Sequence, residues 1–228
     1  TLSPILYDPR SATLVHGAAE VLQRLSARVA EVAVVSGRPL SYLQAHVPGG
    51  LTMVGLYGLE SVRGGVHVDH PDAAAWRVVV ADVVARAERS GPAGLHVESK
   101  ELSLTLHYRR HPELEPRAVA LAQELADASG LRVHPAKMSI ELHPPIDEDK
   151  GTALARLAAA HDGPVMFLGD DVGDLTAFDA LDQLAAAGRP TLRVVAESPE
   201  TDPGLRDRAD VVVDGPAGVV RLLTALLD

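Results

Sequence analysis

Val165-Met166-Phe167-Leu168-Gly169-Asp170-Asp171-Val172-Gly173-Asp174 is the stretch on which the reading of the chain turns. Its four leading apolar residues read as a short buried strand, and the strand runs directly into a glycine and three carboxylates. Three acids within five residues repel one another unless a cation or a cationic side chain sits among them. Open parallel sheets bind ligands at the carboxyl ends of their strands, and a hard cation such as Mg2+ is the natural occupant of an oxygen-only cluster there. The plainer alternative is a solvated turn with Asp174 as helix N-cap, but two adjacent acids straight after a strand exceed what a cap needs.

Outward from this stretch, helices and strands alternate. A helix is predicted over 149–161 before it; a helix over 174–187, strands at 192–195 and 211–213 and a helix over 216–227 follow it. Near the start, Leu14, Ala18, Val21, Leu22 and Leu25 have helical spacing over 13–28, and a β-branched run at 31–36 ends at Gly37. A short helix over 39–46 and strands near 52–56 and 66–69 come next, separated by glycine turns at 55, 58 and 64–65.

Between about 72 and 145 the rhythm changes. A helix through Trp76, Val79, Val80, Val83, Val84 and Ala87 leads to strands at 95–99 and 102–108. A second helix over 112–129, stopped by Gly130, leads to strands at 131–134 and 138–142. Short strands in an αββαββ order imply an antiparallel sheet with helices on one face, hence a separate small domain. The fold class is α/β: a Rossmannoid parallel-sheet core at 1–71 and 146–228, interrupted by an inserted α+β cap at 72–145.

Composition narrows the chemistry. The 228 residues are 46% hydrophobic, enough for a substantial core, and no cysteine is present, which removes disulfides, thiolate catalysis and cysteine-bound zinc. A net charge of -10 argues against a nucleic-acid partner. No apolar run approaches the roughly 18 residues of a membrane span, and no basic-then-apolar leader opens the sequence, so a cytoplasmic location with no membrane contact is expected. Only three of the 21 basic residues are lysines, Lys100, Lys137 and Lys150, so each lysine draws notice in a chain that otherwise uses arginine.

Two further segments could carry chemistry. The strand Val32 to Val35 ends in Ser36-Gly37-Arg38, with Pro39 at a predicted first helical position; a hydroxyl, a glycine amide and a helix N-terminus can cradle a phosphate, although strand-Ser-Gly turns are common. In Asp147-Glu148-Asp149-Lys150-Gly151 the lysine opens a helix, against the helix dipole. Neutralising a phosphate or a carboxylate nucleophile is a better reason for it, and a salt bridge within the local acidic run is the competing one.

In this order the three segments resemble motifs II, III and IV of the haloacid dehalogenase phosphohydrolase superfamily. That family's first motif is Asp-x-Asp-Gly-Thr, and Thr1-Leu2-Ser3-Pro4-Ile5 resembles its tail. Both essential aspartates are then expected upstream of Thr1, the core lacks its first strand, and the chain as given is expected to be inactive. Resemblance to the trehalose-6-phosphate phosphatases extends over nearly the whole chain, through Ser36-Gly37-Arg38, Gly55-Leu56-Tyr57-Gly58-Leu59-Glu60, Glu98-Ser99-Lys100, His107-Tyr108-Arg109-Arg110, Lys137-Met138-Ser139-Ile140-Glu141 and Gly169-Asp170-Asp171. It departs at Tyr57, where a histidine is usual, and at Val172-Gly173-Asp174-Leu175-Thr176, which replaces a more acidic run.

The resemblance implies hydrolysis of trehalose 6-phosphate through an aspartyl-phosphate intermediate, with Mg2+ on Asp170 and Asp171. Ser36, the Gly37 amide and Lys150 would bind the phosphate, with Asp171 and Asp174 orienting metal-bound water or Lys150. Arg38, Glu98, Lys100, Arg109, Lys137 and Glu141 would bind the sugar. Glu98 and Lys100, two apart on a predicted strand, project from one face, and Lys137 and Glu141 flank the next strand. His107 and His111 straddle a predicted strand end and are not read as a metal pair. The alternatives are another capped sugar phosphatase, for sucrose phosphate or a glycosyl phosphoglycerate, and a catalytically silent binding module. A trehalose-6-phosphate synthase is a candidate partner.

Overall fold

The structure, a computed structural model, describes residues 1–3, 13–136, 138–199 and 201–228. The chain divides into two compact units, Thr1–Val68 with Glu148–Asp228, and Asp69–Asp147.

The first segment of the larger unit comprises α1 (Ala18–Ser26), β1 (Ala33–Val35), α2 (Leu40–His46), β2 (Thr52–Gly55), β3 (Glu60–Arg63) and β4 (Val66–Asp69). α1 begins five residues later than the helical spacing suggested, because Gly17 adopts a left-handed φ of 81° and resets the chain direction. Pro39 stands just before α2 and not within it. β1 pairs in parallel with β2, from Ala33↔Thr52 to Val35↔Val54, and β2 pairs antiparallel with β3, placing Met53 opposite Val62. β3 escaped the sequence reading because Glu60-Ser61-Val62-Arg63 holds one apolar residue and is bracketed by glycines, which signal turns.

The inserted unit contains α3 (Ala73–Ser90), β5 (His96–Ser99), β6 (Leu104–His107), α4 (Glu115–Ser129), β7 (Arg132–Ala136) and β8 (Ser139–His143), with the strands in the order β5-β6-β8-β7, every pair antiparallel. The period of two sorts its side chains. Leu104, Leu106, Ile140 and Leu142 face Val80, Val83 and Ala87 of α3 and Ala118, Leu121 and Leu125 of α4 in one buried cluster, against which Trp76 packs. Each buried leucine contributes about 1.5–3 kcal/mol, so this unit holds its own core. Gly130, with φ 79°, ends α4. On the opposite face, Glu98, Thr105, Glu141 and His134 lie in register across the four strands.

The chain then returns to the larger unit with α5 (Lys150–Ala158), β9 (Val165–Gly169), α6 (Leu175–Ala186), β10 (Thr191–Glu197), α7 (Pro203–Asp207), β11 (Val211–Asp214) and α8 (Gly215–Ala225). β9, β10 and β11 form a parallel sheet with β10 central. α7 is too short for a periodic signal; it starts at Asp202, whose carboxylate accepts from the Gly204 amide at 2.8 Å. Met166 and Leu168 pack with Val34 and Met53 against α1, α2 and α8, whereas Phe167 packs with Phe178 and Leu181 of α6. Helices thus cover both faces of the parallel strands, which directs ligand chemistry to the strand ends. Among the described residues no helix is long and apolar enough to cross a membrane.

Candidate active site

In the larger unit the chain turns sharply after β9. Asp174, only 2% exposed, folds back over the strand end. Its Oδ2 accepts hydrogen bonds from the amides of Asp170 at 2.8 Å and Asp171 at 3.2 Å, and its Oδ1 accepts one from Lys150 Nζ at 2.7 Å. A glycine is needed at 169, since a Cβ there would lie 2.6 Å from Asp174 Cβ. Asp171 caps the 3-10 turn formed by Val172–Asp174. It lies 3.6 Å from Lys150 Nζ with its side chain 65% exposed, open to a ligand. The Thr1 hydroxyl donates to Asp170 Oδ1 at 2.5 Å.

Lys150 is buried at the first residue of α5. The local salt bridge considered from sequence does not form. Asp149 caps α5 by accepting from the Thr152 amide, Glu148 binds Arg156 at 2.8 Å, and Asp147 binds Arg132 at 2.6 Å, while the Lys150 ammonium reaches across to Asp174. Burial alone would lower the proton affinity of this ammonium; Asp174 and Asp171 more than reverse that, and Lys150 is held well above the ordinary lysine value. Asp171 is shifted the other way for an acid. Partial desolvation and the like charges of Asp174 and Asp170 push its pKa up, against the pull of Lys150. The Lys150 ammonium and the Thr1 amino group, which lies 2.7 Å from Asp170 Oδ1, still leave negative charge uncompensated among three carboxylates. The oxygens of Asp170 and Asp171 are the donor type that a hard divalent cation takes, so these two residues fit Mg2+.

The second cluster lies at the end of β1. The Ser36 amide donates to Val54 O at 2.9 Å, and Ser36 Oγ accepts from the Arg38 amide at 3.0 Å. This bond closes the turn and leaves the hydroxyl proton able to donate to a ligand. The Arg38 guanidinium lies over the Tyr42 ring, 4.6 Å from its centroid, one helical turn ahead on α2. Tyr57 joins the two clusters, since its phenol end abuts Gly37 and its side chain acts on Lys150. The sequence reading noted Tyr57 only as a departure from a family pattern and gave it no place in the site.

In the inserted unit, Glu141 Oε1 accepts from Ser103 Oγ at 2.8 Å and from Lys100 Nζ at 3.3 Å. Lys100 lies one residue beyond β5, in the turn to β6, so the shared strand face expected for Glu98 and Lys100 is corrected: it is the turn that brings the ammonium to Glu141. Glu98 Oε2 pairs with His107 Nε2 at 2.7 Å, so His107 is a partner in this polar face. His111 pairs with Glu113. Arg109 is exposed in the turn after β6. Lys137 lies outside the described residues. Ser103, Thr105 and His107 were passed over as site residues, although their alternation with Leu104 and Leu106 places them on the face of Glu98 and Glu141.

A parallel α/β core with carboxylates at the end of β9 and an inserted α+β cap is the architecture of the haloacid dehalogenase-like hydrolases. A solved hydrolase of that kind from Bacteroides thetaiotaomicron superposes with a TM-score of 0.64 over 93% of this chain and 92% of that one, at 14% identity. Residues 1–206 match the trehalose-phosphatase family model, and the chain belongs to that family. A crystal structure described as a trehalose-6-phosphate phosphatase related protein superposes with a TM-score of 0.82 over all of this chain and 93% of the other, at 22% identity. Trehalose-phosphate phosphatase of Mycolicibacterium paratuberculosis is 35% identical over 240 residues, taking in 100% of this chain and 60% of that protein. An uncharacterized glycosyl hydrolase of Mycobacterium tuberculosis is 38% identical over 196 residues, 79% of this chain and 14% of that protein. The chain thus spans only part of these relatives' lengths.

Proposed function

We propose that this chain serves as the phosphatase part of a protein that hydrolyses trehalose 6-phosphate to trehalose and phosphate. The observation that carries the proposal is the joining of the Ser36-Gly37 turn, Lys150 and the Asp170-Asp171-Asp174 cluster around Tyr57 at the carboxyl ends of parallel strands. Family membership and the trehalose-phosphate phosphatases among the relatives support the choice of substrate.

In this reading the Ser36 hydroxyl and the Gly37 amide hold phosphoryl oxygens, and Lys150 spreads the charge that builds on them. Asp174 fixes the ammonium and the turn at once, and Asp171 faces the ligand. Asp170 and Asp171 would hold Mg2+, which when bound offsets repulsion between carboxylates and phosphoryl oxygens. The attacking carboxylate and its acid partner belong to residues expected before Thr1, and the bond from Thr1 to Asp170 would bring them to this cluster. Attack forms an acyl phosphate as the sugar oxygen departs with a proton from the second aspartate, which then acts as base for the attacking water. Glu98, Lys100, Arg109, Lys137 and Glu141 of the cap bind sugar hydroxyls, and Arg38, beside the phosphate turn, binds substrate as well. We propose a cytoplasmic location and a trehalose-6-phosphate synthase as partner.

The test is phosphate release with Mg2+ by a protein that carries the residues upstream of Thr1. Trehalose 6-phosphate should exceed glucose 6-phosphate and sucrose 6-phosphate in kcat/KM by about tenfold or more. Equal rates on all three would overturn the substrate, and release from none would overturn the phosphatase. Glu98→Gln and Glu141→Gln should raise KM for trehalose 6-phosphate while sparing turnover of p-nitrophenyl phosphate.

A further inference from the structure

The loop after β2 is built in an unusual way. Leu56 and Tyr57 both have left-handed backbones, with φ of 48° and 61°, a region that side-chain-bearing residues seldom occupy. Neither is a glycine, and two neighbouring glycines, Gly55 and Gly58, were available to take the bend. Strain of this kind persists only where its surroundings hold it in place. Here they do: the Leu56 amide donates to Arg38 O and the Tyr57 amide to Ser36 O, each at 3.0 Å, and the Leu56 side chain is 2% exposed.

The two amide bonds lock the loop in register with the Ser36-Gly37-Arg38 turn and aim one ring. A Cβ on Gly37 would lie 2.4 Å from Tyr57 Cζ and 2.5 Å from its hydroxyl oxygen, so the phenol end lies directly against the Gly37 α-carbon. The ring is also near enough to Lys150 to act on that ammonium. Two groups assigned to the phosphate therefore share one phenol as a neighbour. A ring needed only for packing would bury its hydroxyl away from charged groups or replace it with hydrogen. A phenol hydroxyl can donate to an anion's oxygen.

We infer that Tyr57 is a substrate-binding residue whose hydroxyl donates a hydrogen bond to a non-bridging phosphoryl oxygen, completing the cradle of Ser36, Gly37 and Lys150. This rests on the phosphatase reading of the site, and goes beyond it by adding a donor. It also explains why a glycine is needed at 37: any side chain there would displace the phenol.

The test is calorimetric binding of inorganic phosphate, with Mg2+, to the full-length protein and its Tyr57→Phe and Tyr57→His variants. Phenylalanine keeps the ring and deletes the donor, and should weaken phosphate about tenfold, the cost of one charge-assisted hydrogen bond. Histidine, which tolerates the left-handed backbone and restores a donor, should bind within about threefold of the parent. Unchanged affinity in Tyr57→Phe overturns the inference, as does equal weakening in both variants, which would make the residue a packing element. If the unaltered protein hydrolyses trehalose 6-phosphate while Tyr57→Phe binds phosphate normally, only this inference fails. If the unaltered protein neither binds phosphate nor releases it from sugar esters, the phosphatase reading fails with it.

Discussion

Asp174→Asn is the substitution whose cost the structure sets most directly. Asp174 gives one oxygen to the Lys150 ammonium at 2.7 Å and the other to the amides of Asp170 and Asp171. An asparagine keeps one acceptor and turns an NH2 group toward a donor, leaving Asp171, 3.6 Å away, as the nearest carboxylate to the buried ammonium. Removing one partner of a buried ion pair costs about 3–5 kcal/mol, a large share of the roughly 5–15 kcal/mol that holds a domain folded. For a chain of this size each kcal/mol moves the midpoint by about 2–4 °C, so the melt followed by circular dichroism should fall by roughly 6–20 °C. Lys150→Met should cost less, because the two amides still solvate the carboxylate. The double variant, which holds no buried charge at this pair, should recover about 2 kcal/mol or more of the summed losses. A midpoint shift under about 2 °C for Asp174→Asn, or additivity within about 0.5 kcal/mol, would refute the account.

Three more outcomes follow from the same geometry. Gly151→Ala, favourable in most helices by about 1 kcal/mol, should here destabilise by about 1–3 kcal/mol, because its Cβ would lie 2.3 Å from the Thr176 carbonyl oxygen; urea unfolding gives the sign. Lys150→Arg, in the protein with its upstream residues, should lower kcat about 100-fold or more, since a planar guanidinium does not fit the slot of a compact ammonium; kcat near that of the parent would contradict this. For Glu31, burial favours the protonated form, but the Thr52 hydroxyl, His161 and Arg63 outweigh it and hold the pKa below the ordinary glutamate value. The stabilisation is therefore present above the unfolded pKa of about 4.3 and lost as pH falls through the folded one. The midpoint difference between the parent and Glu31→Gln should be large at pH 7 and shrink below pH 4.

Most of the fold is legible in the sequence where hydrophobic spacing and glycine stops agree, as in α3, α4 with Gly130, and the strand leading into Asp170. It fades where elements are short or edge-like. β3 holds a single apolar residue between glycines, α7 has too few residues to show a period, and α1 loses its first turn to Gly17, whose left-handed φ leaves no mark in a spacing pattern. For the site, residue types told of Ser36, Lys150 and the carboxylates, but pairing depends on tertiary placement. Nothing in the sequence says that Lys150 bypasses three adjacent acids for Asp174, twenty-four residues on, that Glu141 meets Lys100 and Ser103, or that Tyr57 leans on Gly37. Long-range register makes these contacts, and neither composition nor periodicity encodes it locally.

Trp76, the one tryptophan of the chain, packs into the core of the inserted unit. Emission excited at the red edge, where tyrosine does not absorb, therefore reports on that unit alone, whereas the far-ultraviolet circular dichroism signal sums the helices of both. Recording the two during one denaturant titration separates the unfolding of the cap from that of the core without a label.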